Sequence, residues 1–145
     1  IDPIGLTRDD WLDVLMTHRL QPAFASDQLL AVHDWPASQA ALARIRNDAP
    51  PVAERFELYL GSLELANGYH ELCDPSEQRA RFERDAAVRA QRGLPSIPND
   101  TALLAALAHG LPACAGVAVG VDRLLMALLG TSRIADVLAF EFAKA

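Results

Sequence analysis

Three carboxylates and one amide in a short stretch of the chain are the residues best suited to chemistry. Residues 55–74 read RFELYLGSLELANGYHELCD and contain Glu57, Glu64, Asn67 and Glu71. Diagonal neighbours on one face of a sheet lie roughly 7 to 8 Å apart, and a hydrated divalent cation or a metal-bound phosphate chain can bridge two carboxylates at that distance. An acid beside an amide suits an ammonium group. The stretch therefore predicts a site for phosphate and amine ligands.

A single antiparallel hairpin would bring these side chains together. Polar and apolar residues alternate before Gly61-Ser62 and again after it, which is typical of two half-buried strands joined by a tight turn. Paired residues share a face, and the predicted pairs are Leu60 with Leu63, Tyr59 with Glu64, Leu58 with Leu65 and Glu57 with Ala66. The polar face then carries Glu57, Tyr59 and Glu64. The apolar face is predicted to be buried and carries Phe56, Leu58, Leu60, Leu63 and Leu65.

Glu71 needs an irregularity in the second strand to join the polar face. Strict alternation would send Glu71 to the buried face, so we predict a bulge at Asn67-Gly68 that reverses the parity. The alternative explanation is an ordinary solvated sheet face, because exposed strands commonly carry charge.

The composition limits the class of protein. A chain of 145 residues with 51% hydrophobic residues predicts one globular domain over residues 1–145. The net charge of −6 argues against a surface that binds nucleic acid through phosphate neutralisation alone. No apolar run reaches the roughly 20 residues of a membrane span. Cys73 and Cys114 lack metal-ligand spacing, which predicts two buried thiols in a cytoplasmic protein. Ile1 in place of an initiator methionine predicts a piece of a longer polypeptide.

Elements before the hairpin are predicted from caps and breakers. Residues 1–27 are expected to form a helix and a loop, with Thr7 as the helix N-cap. A short strand, Leu29–His33, is expected to break at Trp35-Pro36, and Ser38 is expected to cap a short helix that runs through Ala43.

The region 28–145 is predicted to contain strands, the hairpin, and further helices and a strand after the hairpin. Asp74 caps a predicted helix that continues to about Arg92 and carries a solvated face of weak ion pairs such as Glu77 with Arg81. Asp100 caps the next predicted helix. The run GVAVGVDR at residues 116–123 predicts a strand that leads directly into a last helix. The leucines predicted to be buried on that last helix are Leu124, Leu125, Leu128 and Leu129.

The glycine-bearing strand adds a second group of candidate site residues. Small residues at Gly116, Ala118 and Gly120 let a flat ligand approach the backbone closely. Arg123 supplies a fixed cation that can stack on a base or contact phosphate. With the acids of the hairpin, these residues indicate a site for ATP and an amino acid.

Two separated runs carry a resemblance to a known family. FELYLGSLELANGYHEL followed by GVAVGVDRLLM resembles the C-terminal half of a class II aminoacyl-tRNA synthetase catalytic domain of the lysyl type, including its third signature motif. Within that group, ELANGYHELCD, QRGLP, HDWPASQAALA and GVAVGVDR are most similar to the lysyl-tRNA synthetase-like ligases that attach (R)-β-lysine to elongation factor P. The resemblance extends from about residue 28 to the end. It implies an α+β fold with an antiparallel sheet flanked by helices, and a homodimer.

The resemblance also implies roles for individual residues. Glu57 and Glu64 match acids that hold ATP-bound Mg²⁺ and, with Arg123, form the implied catalytic set. The implied ATP-binding residues are Glu57, Glu64, Leu65, Gly120 and Arg123, and the implied amino-acid-binding residues are Asn67, Tyr69, Glu71 and Ala118. The implied reaction activates lysine or (R)-β-lysine as an adenylate and transfers it to a lysine of elongation factor P.

Two other functions stay open at this point. One is a fragment of a lysyl-tRNA synthetase that charges tRNA, which the acidic charge disfavours, as does Ala118 where those enzymes tend to have glycine. The other is a catalytically silent synthetase-like binding module. The first two signature motifs of the family do not occur in these 145 residues, so we expect the chain alone to be inactive.

Overall fold

The chain folds around a five-stranded antiparallel sheet. The structure is a computed structural model that describes residues 5–141, so Ile1 lies outside the described residues. The strands are β1 (Leu29–Pro36), β2 (Ile45–Arg46), β3 (Val52–Leu60), β4 (Leu63–His70) and β5 (Ala115–Val119). The main path of the sheet is β1-β3-β4-β5, and β2 pairs with β3. The predicted α+β class is confirmed.

One helix precedes the strands in the chain, two lie between β4 and β5, and one follows β5, and side-chain caps fix where several of them begin. They are α1 (Arg8–Leu15), α2 (Pro75–Gln91), α3 (Thr101–His109) and α4 (Val121–Leu129). A π-helical turn, Met16–Leu20, follows α1 directly. The predicted N-caps Thr7, Asp74 and Asp100 each accept hydrogen bonds from backbone N–H groups of the first helical turn.

The hairpin forms, but its bulge lies earlier than predicted. Tyr59 pairs with Glu64 as expected, whereas Leu58 pairs with Ala66, so Leu65 is the extra residue. Gly68 serves a different purpose from the predicted bulge, because a Cβ there would lie 2.5 Å from the ring of Phe56. The bulge at Leu65 still reverses the parity. Asn67 is consequently opposite Glu57.

Burial of the two hairpin faces differs from the prediction, because two residues of the polar face are buried and most of the apolar face is only half-buried. Glu57 and Tyr59 on the polar face are 6% and 3% exposed, respectively. On the predicted core face Leu65 is buried, and the half-buried residues are Phe56, Leu58, Leu60 and Leu63. The N-terminal segment covers the polar face, since the ring of Phe24 packs edge-on against Tyr59 with centroids 5.4 Å apart.

The region after β1 also differs from the prediction. The strand passes through Trp35-Pro36, and Asp34 absorbs an irregularity in register with a φ of 57°. In place of a helix through Ala43 there is one 3₁₀ turn, Ala37–Gln39. Ser38 does not cap a helix, because its hydroxyl donates to the carboxylate of Asp9.

The leucines of α4 are exposed, which corrects the prediction that they are buried. Leu124 and Leu125 are 39% and 37% exposed, and Leu128 and Leu129 reach 75% and 64%. In the described part of the chain, α4 packs mainly on β4 and on the 3₁₀ turn Ile134–Asp136. Met126 is the residue that this packing buries.

Arg81 of α2 lies inside the protein, so the predicted solvated face is wrong at this position. Its ion pair with Glu77 forms as expected, but Arg81 is 7% exposed. One guanidinium nitrogen donates to the carbonyl oxygens of Ala41 and Ala43 at 2.8 and 2.7 Å. The arginine thereby fixes the segment before β2 to the helix.

Arg81→Leu is expected to destabilise the fold by about 1–3 kcal/mol. The substitution leaves the carbonyl group of the buried residue Ala43 without its donor, and a buried unsatisfied group costs about that much, whereas the carbonyl of the exposed residue Ala41 can bond water instead. Denaturant unfolding of the polypeptide that carries this chain measures the change. The control is Arg79→Leu on the exposed side of the same helix, for which we expect a change within about 0.5 kcal/mol. Equal losses in both variants would contradict the prediction.

Two remaining predictions concern cysteines and membranes. Cys73 and Cys114 are free thiols that are half-buried, not fully buried as predicted. Among the helices of residues 5–141, none has the length and apolar character needed to cross a bilayer.

Candidate functional site

A cleft of about 440 Å³ separates the polar face of the hairpin from the N-terminal helical segment. Glu57, Tyr59 and Glu64 line its sheet side, as expected from their predicted shared face. Asp13, Met16, Thr17 and Gln21 line the opposite side. The volume suits a small ligand.

Glu57 is held by three neighbouring side chains. Its Oε1 accepts from the guanidinium of Arg55 and, at 3.3 Å, from the amide nitrogen of Asn67. Its Oε2 accepts from the hydroxyl of Tyr59. A carboxylate offers about four lone-pair sites, so these bonds occupy Oε1 and leave one site on Oε2.

Tyr59 is a fixed donor to that carboxylate. Burial raises the pKa of the Tyr59 phenol above its ordinary value, and the hydrogen bond to Glu57 raises this pKa further. The phenol therefore keeps its proton at neutral pH. It holds the Oε2 side of Glu57 in one orientation.

Glu64, which lines the cleft, contacts Arg123, although the two residues lie in separate motifs. The guanidinium of Arg123 is 3.6 Å from the Glu64 carboxylate and donates at 3.0 Å to the Glu64 carbonyl oxygen. Their side chains are 50% and 35% exposed, so both can also contact a ligand. Gly120 is anchored nearby, because its N–H donates to the carbonyl of Leu65 at 2.9 Å.

The predicted amino-acid-binding residues lie along β4 and β5 on the same face of the sheet as Glu57. Asn67 pairs with Ala118, and Tyr69 pairs with Gly116. The carboxylate of Glu71 occupies the space that a Cβ at Gly116 would need. Glycine at position 116 therefore lets the Glu71 carboxylate lie directly on the strand.

Tyr69 contributes to the core beside this site. Its ring packs against the cluster of small buried residues Ala40, Ala43 and Ala53. Tyr69 thus shares a face of the sheet with Asn67 and packs against this cluster. Its expected contact with an amino acid stays a prediction.

Arg55, Trp35 and Gln39 also belong to the site, although none of them was predicted from the sequence. Arg55 stacks its guanidinium on the Trp35 ring, 4.3 Å from the ring centroid, and also lines the cleft. The signal in the sequence was the spacing of Arg55 from Glu57, because residues two apart on a strand share a face. The contacts with Trp35 and Gln39 depend on the fold and had no local signal.

The carboxylates at the cleft fit Mg²⁺ only if a substrate supplies some of the oxygen ligands. Among residues 5–141, no group of three or more His, Cys, Asp or Glu side chains lies close enough to hold a metal ion. Two carboxylates are nevertheless sufficient where substrate phosphates supply further oxygens, which is the usual arrangement for Mg²⁺. Glu64 would contribute an accessible carboxylate, and Glu57 would contribute the remaining site on Oε2.

Comparison with known proteins identifies the family. The sequence model for tRNA synthetases class II (D, K and N) matches residues 14–144. The chain belongs to this family. The antiparallel sheet with its helices is consistent with part of a class II synthetase domain.

Several curated relatives align with almost the whole chain, and their names specify a reaction. The chain is 50% identical over 138 residues to the elongation factor P–(R)-β-lysine ligase of Pectobacterium carotovorum, and 51% identical over the same length to those of Salmonella gallinarum and Salmonella enteritidis. Each alignment covers 95% of this chain and 42% of the relative. The chain therefore spans about two-fifths of the length of these curated relatives.

Proposed function

We propose that the polypeptide carrying this chain is a ligase that activates lysine or (R)-β-lysine with ATP and transfers it to a lysine of elongation factor P. The observation that carries the proposal is the contact of Glu64 with Arg123, which come from two distant motifs, because Glu64 lines the same cleft as the buried residue Glu57. The names of the relatives support the choice of amino acid and acceptor.

Glu57, Glu64 and Arg123 would bind the nucleotide. Mg²⁺ held by the two carboxylates would neutralise charge on the ATP phosphates. Arg123 is half-exposed and planar, so it suits stacking on the base or contact with phosphate. Leu65 and Gly120 would line this side through the backbone bond that joins β4 to the start of α4.

Glu71, Asn67, Tyr69 and Ala118 would bind the amino acid. The Glu71 carboxylate would pair with a substrate ammonium, because charge-assisted hydrogen bonds are the stronger ones. Ala118 lies opposite Asn67, so it would add a methyl group to the floor of the proposed pocket. That methyl group would reshape the pocket towards a β-amino acid.

The reaction would need no nucleophile from the protein. The amino-acid carboxylate attacks the α-phosphorus of ATP, a new O–P bond forms, and the bond to the pyrophosphate oxygen breaks. An amine of the acceptor lysine then attacks the carbonyl carbon, AMP leaves with the bonding electrons, and the amine releases a proton. The residues of this chain would contribute by positioning the two substrates and by balancing charge.

The test is pyrophosphate exchange by the full polypeptide with α-lysine and with (R)-β-lysine. We expect a preference for (R)-β-lysine, and Ala118→Gly should move the ratio of kcat/KM values towards α-lysine by about tenfold or more, since one methyl group in a pocket is worth about 10- to 200-fold. The control is Ala115→Gly, which makes the same change on the other face of β5. Preference for α-lysine by the unaltered protein, together with charging of tRNA, would contradict the proposal.

Charging of tRNA is the second candidate function. The description of the matching family, which names tRNA synthetases, favours it, whereas the net charge of −6 disfavours an extended nucleic-acid surface. Aminoacylation of tRNA by the same polypeptide would decide for this candidate. Failure to bind Mg²⁺-ATP in calorimetry would instead favour a silent binding module.

A further inference from the structure

Arg55 contacts residues on both sides of the proposed site. Its side chain is 17% exposed and rests on the ring of Trp35. The guanidinium donates to Glu57, to the amide oxygen of Asn67 at 3.4 Å and to the carbonyl oxygen of Gln39 at 3.3 Å. Every nitrogen of the guanidinium is thus directed at a different partner.

Arg55, Glu57 and Asn67 form a closed ring of hydrogen bonds. Arg55 donates to both of the other side chains, and the Asn67 amide nitrogen donates to Glu57 at 3.3 Å. Because Arg55 takes the amide oxygen of Asn67, the amide group can have only one orientation. The ring joins the proposed Mg²⁺ ligand Glu57 to the proposed amino-acid ligand Asn67.

We propose that Arg55 is the positioning residue that couples the nucleotide side of the site to the amino-acid side, an inference that rests on the function proposed above. Arg55 and Asn67 occupy Oε1 of Glu57, so the site left for a ligand is the second one on Oε2, beside the bond from Tyr59. Arg55 also holds the Asn67 amide so that its second N–H is free to donate.

The shape of the arginine is essential to this role. A guanidinium is a rigid planar fork that can bond several partners while it stacks on an aromatic ring, whereas a lysine ammonium is a single flexible point charge. Arg55→Lys therefore keeps the charge beside Glu57 but loses the simultaneous bonds to Gln39 and Asn67. Charge alone should not maintain the ring.

The experiment measures two affinities in the full polypeptide by calorimetry, one for Mg²⁺-ATP and one for (R)-β-lysine. We expect Arg55→Lys to weaken both by about 10- to 100-fold, the range typical for residues that orient metal ligands. The matched control is Arg46→Lys, because Arg46 pairs with Asp34 and Asp48 at the surface and should leave both affinities unchanged. Loss of only one affinity, or of neither, overturns the proposal.

A second variant tests the coupling even if Arg55→Lys fails to fold. Asn67→Ala should weaken Mg²⁺-ATP binding measured without amino acid, although Asn67 is assigned to the amino-acid side. An unchanged affinity for Mg²⁺-ATP in Asn67→Ala overturns the coupling. If the unaltered protein binds neither ligand, the proposed function fails and the coupling fails with it. If the unaltered protein binds both ligands and the variants bind them with the same affinities, the coupling alone fails.

Discussion

Glu57→Gln is expected to lower the free energy of unfolding by about 3–5 kcal/mol, because it removes one partner of a buried ion pair and leaves the other charge uncompensated. Arg55 would keep its charge in a position where its side chain is 17% exposed. The hydroxyl of Tyr59 would also lose a charged acceptor. Denaturant unfolding of the polypeptide that carries the chain measures this loss.

The same substitution should weaken binding of Mg²⁺-ATP by about 10- to 100-fold through loss of one carboxylate ligand. Glu54→Gln on the opposite face of β3 is the matched control. Glu54 pairs with His70 and Arg44 and does not line the cleft, so its replacement should leave Mg²⁺-ATP binding unchanged. Equal weakening by both variants would show that Glu57 has no particular role in binding.

A double variant separates stability from binding. Arg55→Met together with Glu57→Leu removes both charges, and replacing a buried ion pair by apolar residues of similar size is often close to neutral. We therefore expect part of the lost stability to return while Mg²⁺-ATP binding stays weak. Recovery of binding together with stability would mean that the effect of Glu57→Gln is structural.

The shared face of the site could be predicted because it depends on local periodicity. Side chains two apart on a strand point to the same side, and the turn at Gly61 fixes the pairing of Tyr59 with Glu64. The position of the bulge depends on more distant contacts. Gly68 lies against the ring of Phe56 in a regular pair, and the extra residue is Leu65.

Burial could not be predicted from the hairpin alone. The hydrophobic pattern identifies an apolar face, but which face is covered depends on where other elements pack. The N-terminal segment brings Phe24 onto Tyr59 and so buries the face that carries the acids. The leucines of α4 show the converse, because a strongly apolar helix face remains exposed among the described residues.

The polar ring around Glu57 was missed for a related reason. A buried carboxylate needs a partner, and the sequence offered Arg55 two residues away, but a neighbouring arginine on a strand is equally compatible with solvent exposure. The ring of Trp35 covers one face of the Arg55 guanidinium, so the Arg55 side chain is only 17% exposed. Trp35 reaches that position because β1 continues through the residues at which a break was predicted.

Glu71→Gln is expected to weaken the binding of lysine or (R)-β-lysine by about 10- to 150-fold, because a hydrogen bond to a charged group contributes about 1.5–3 kcal/mol. The amide keeps the shape of the carboxylate but loses the charge that would attract an ammonium group. Binding of Mg²⁺-ATP measured without amino acid should change little. Calorimetry with each ligand separately measures both values.

Gly116→Ala tests the same carboxylate without altering it. The new Cβ would occupy the place of the Glu71 carboxylate and force it away from the strand. We therefore expect weaker amino-acid binding with the charge retained, whereas Glu83→Gln on the exposed side of α2 should have no effect. If Glu71→Gln weakens binding but Gly116→Ala does not, charge alone matters and the position of the carboxylate does not. If neither variant weakens binding, Glu71 is not the ammonium ligand, and the amino acid must be bound elsewhere.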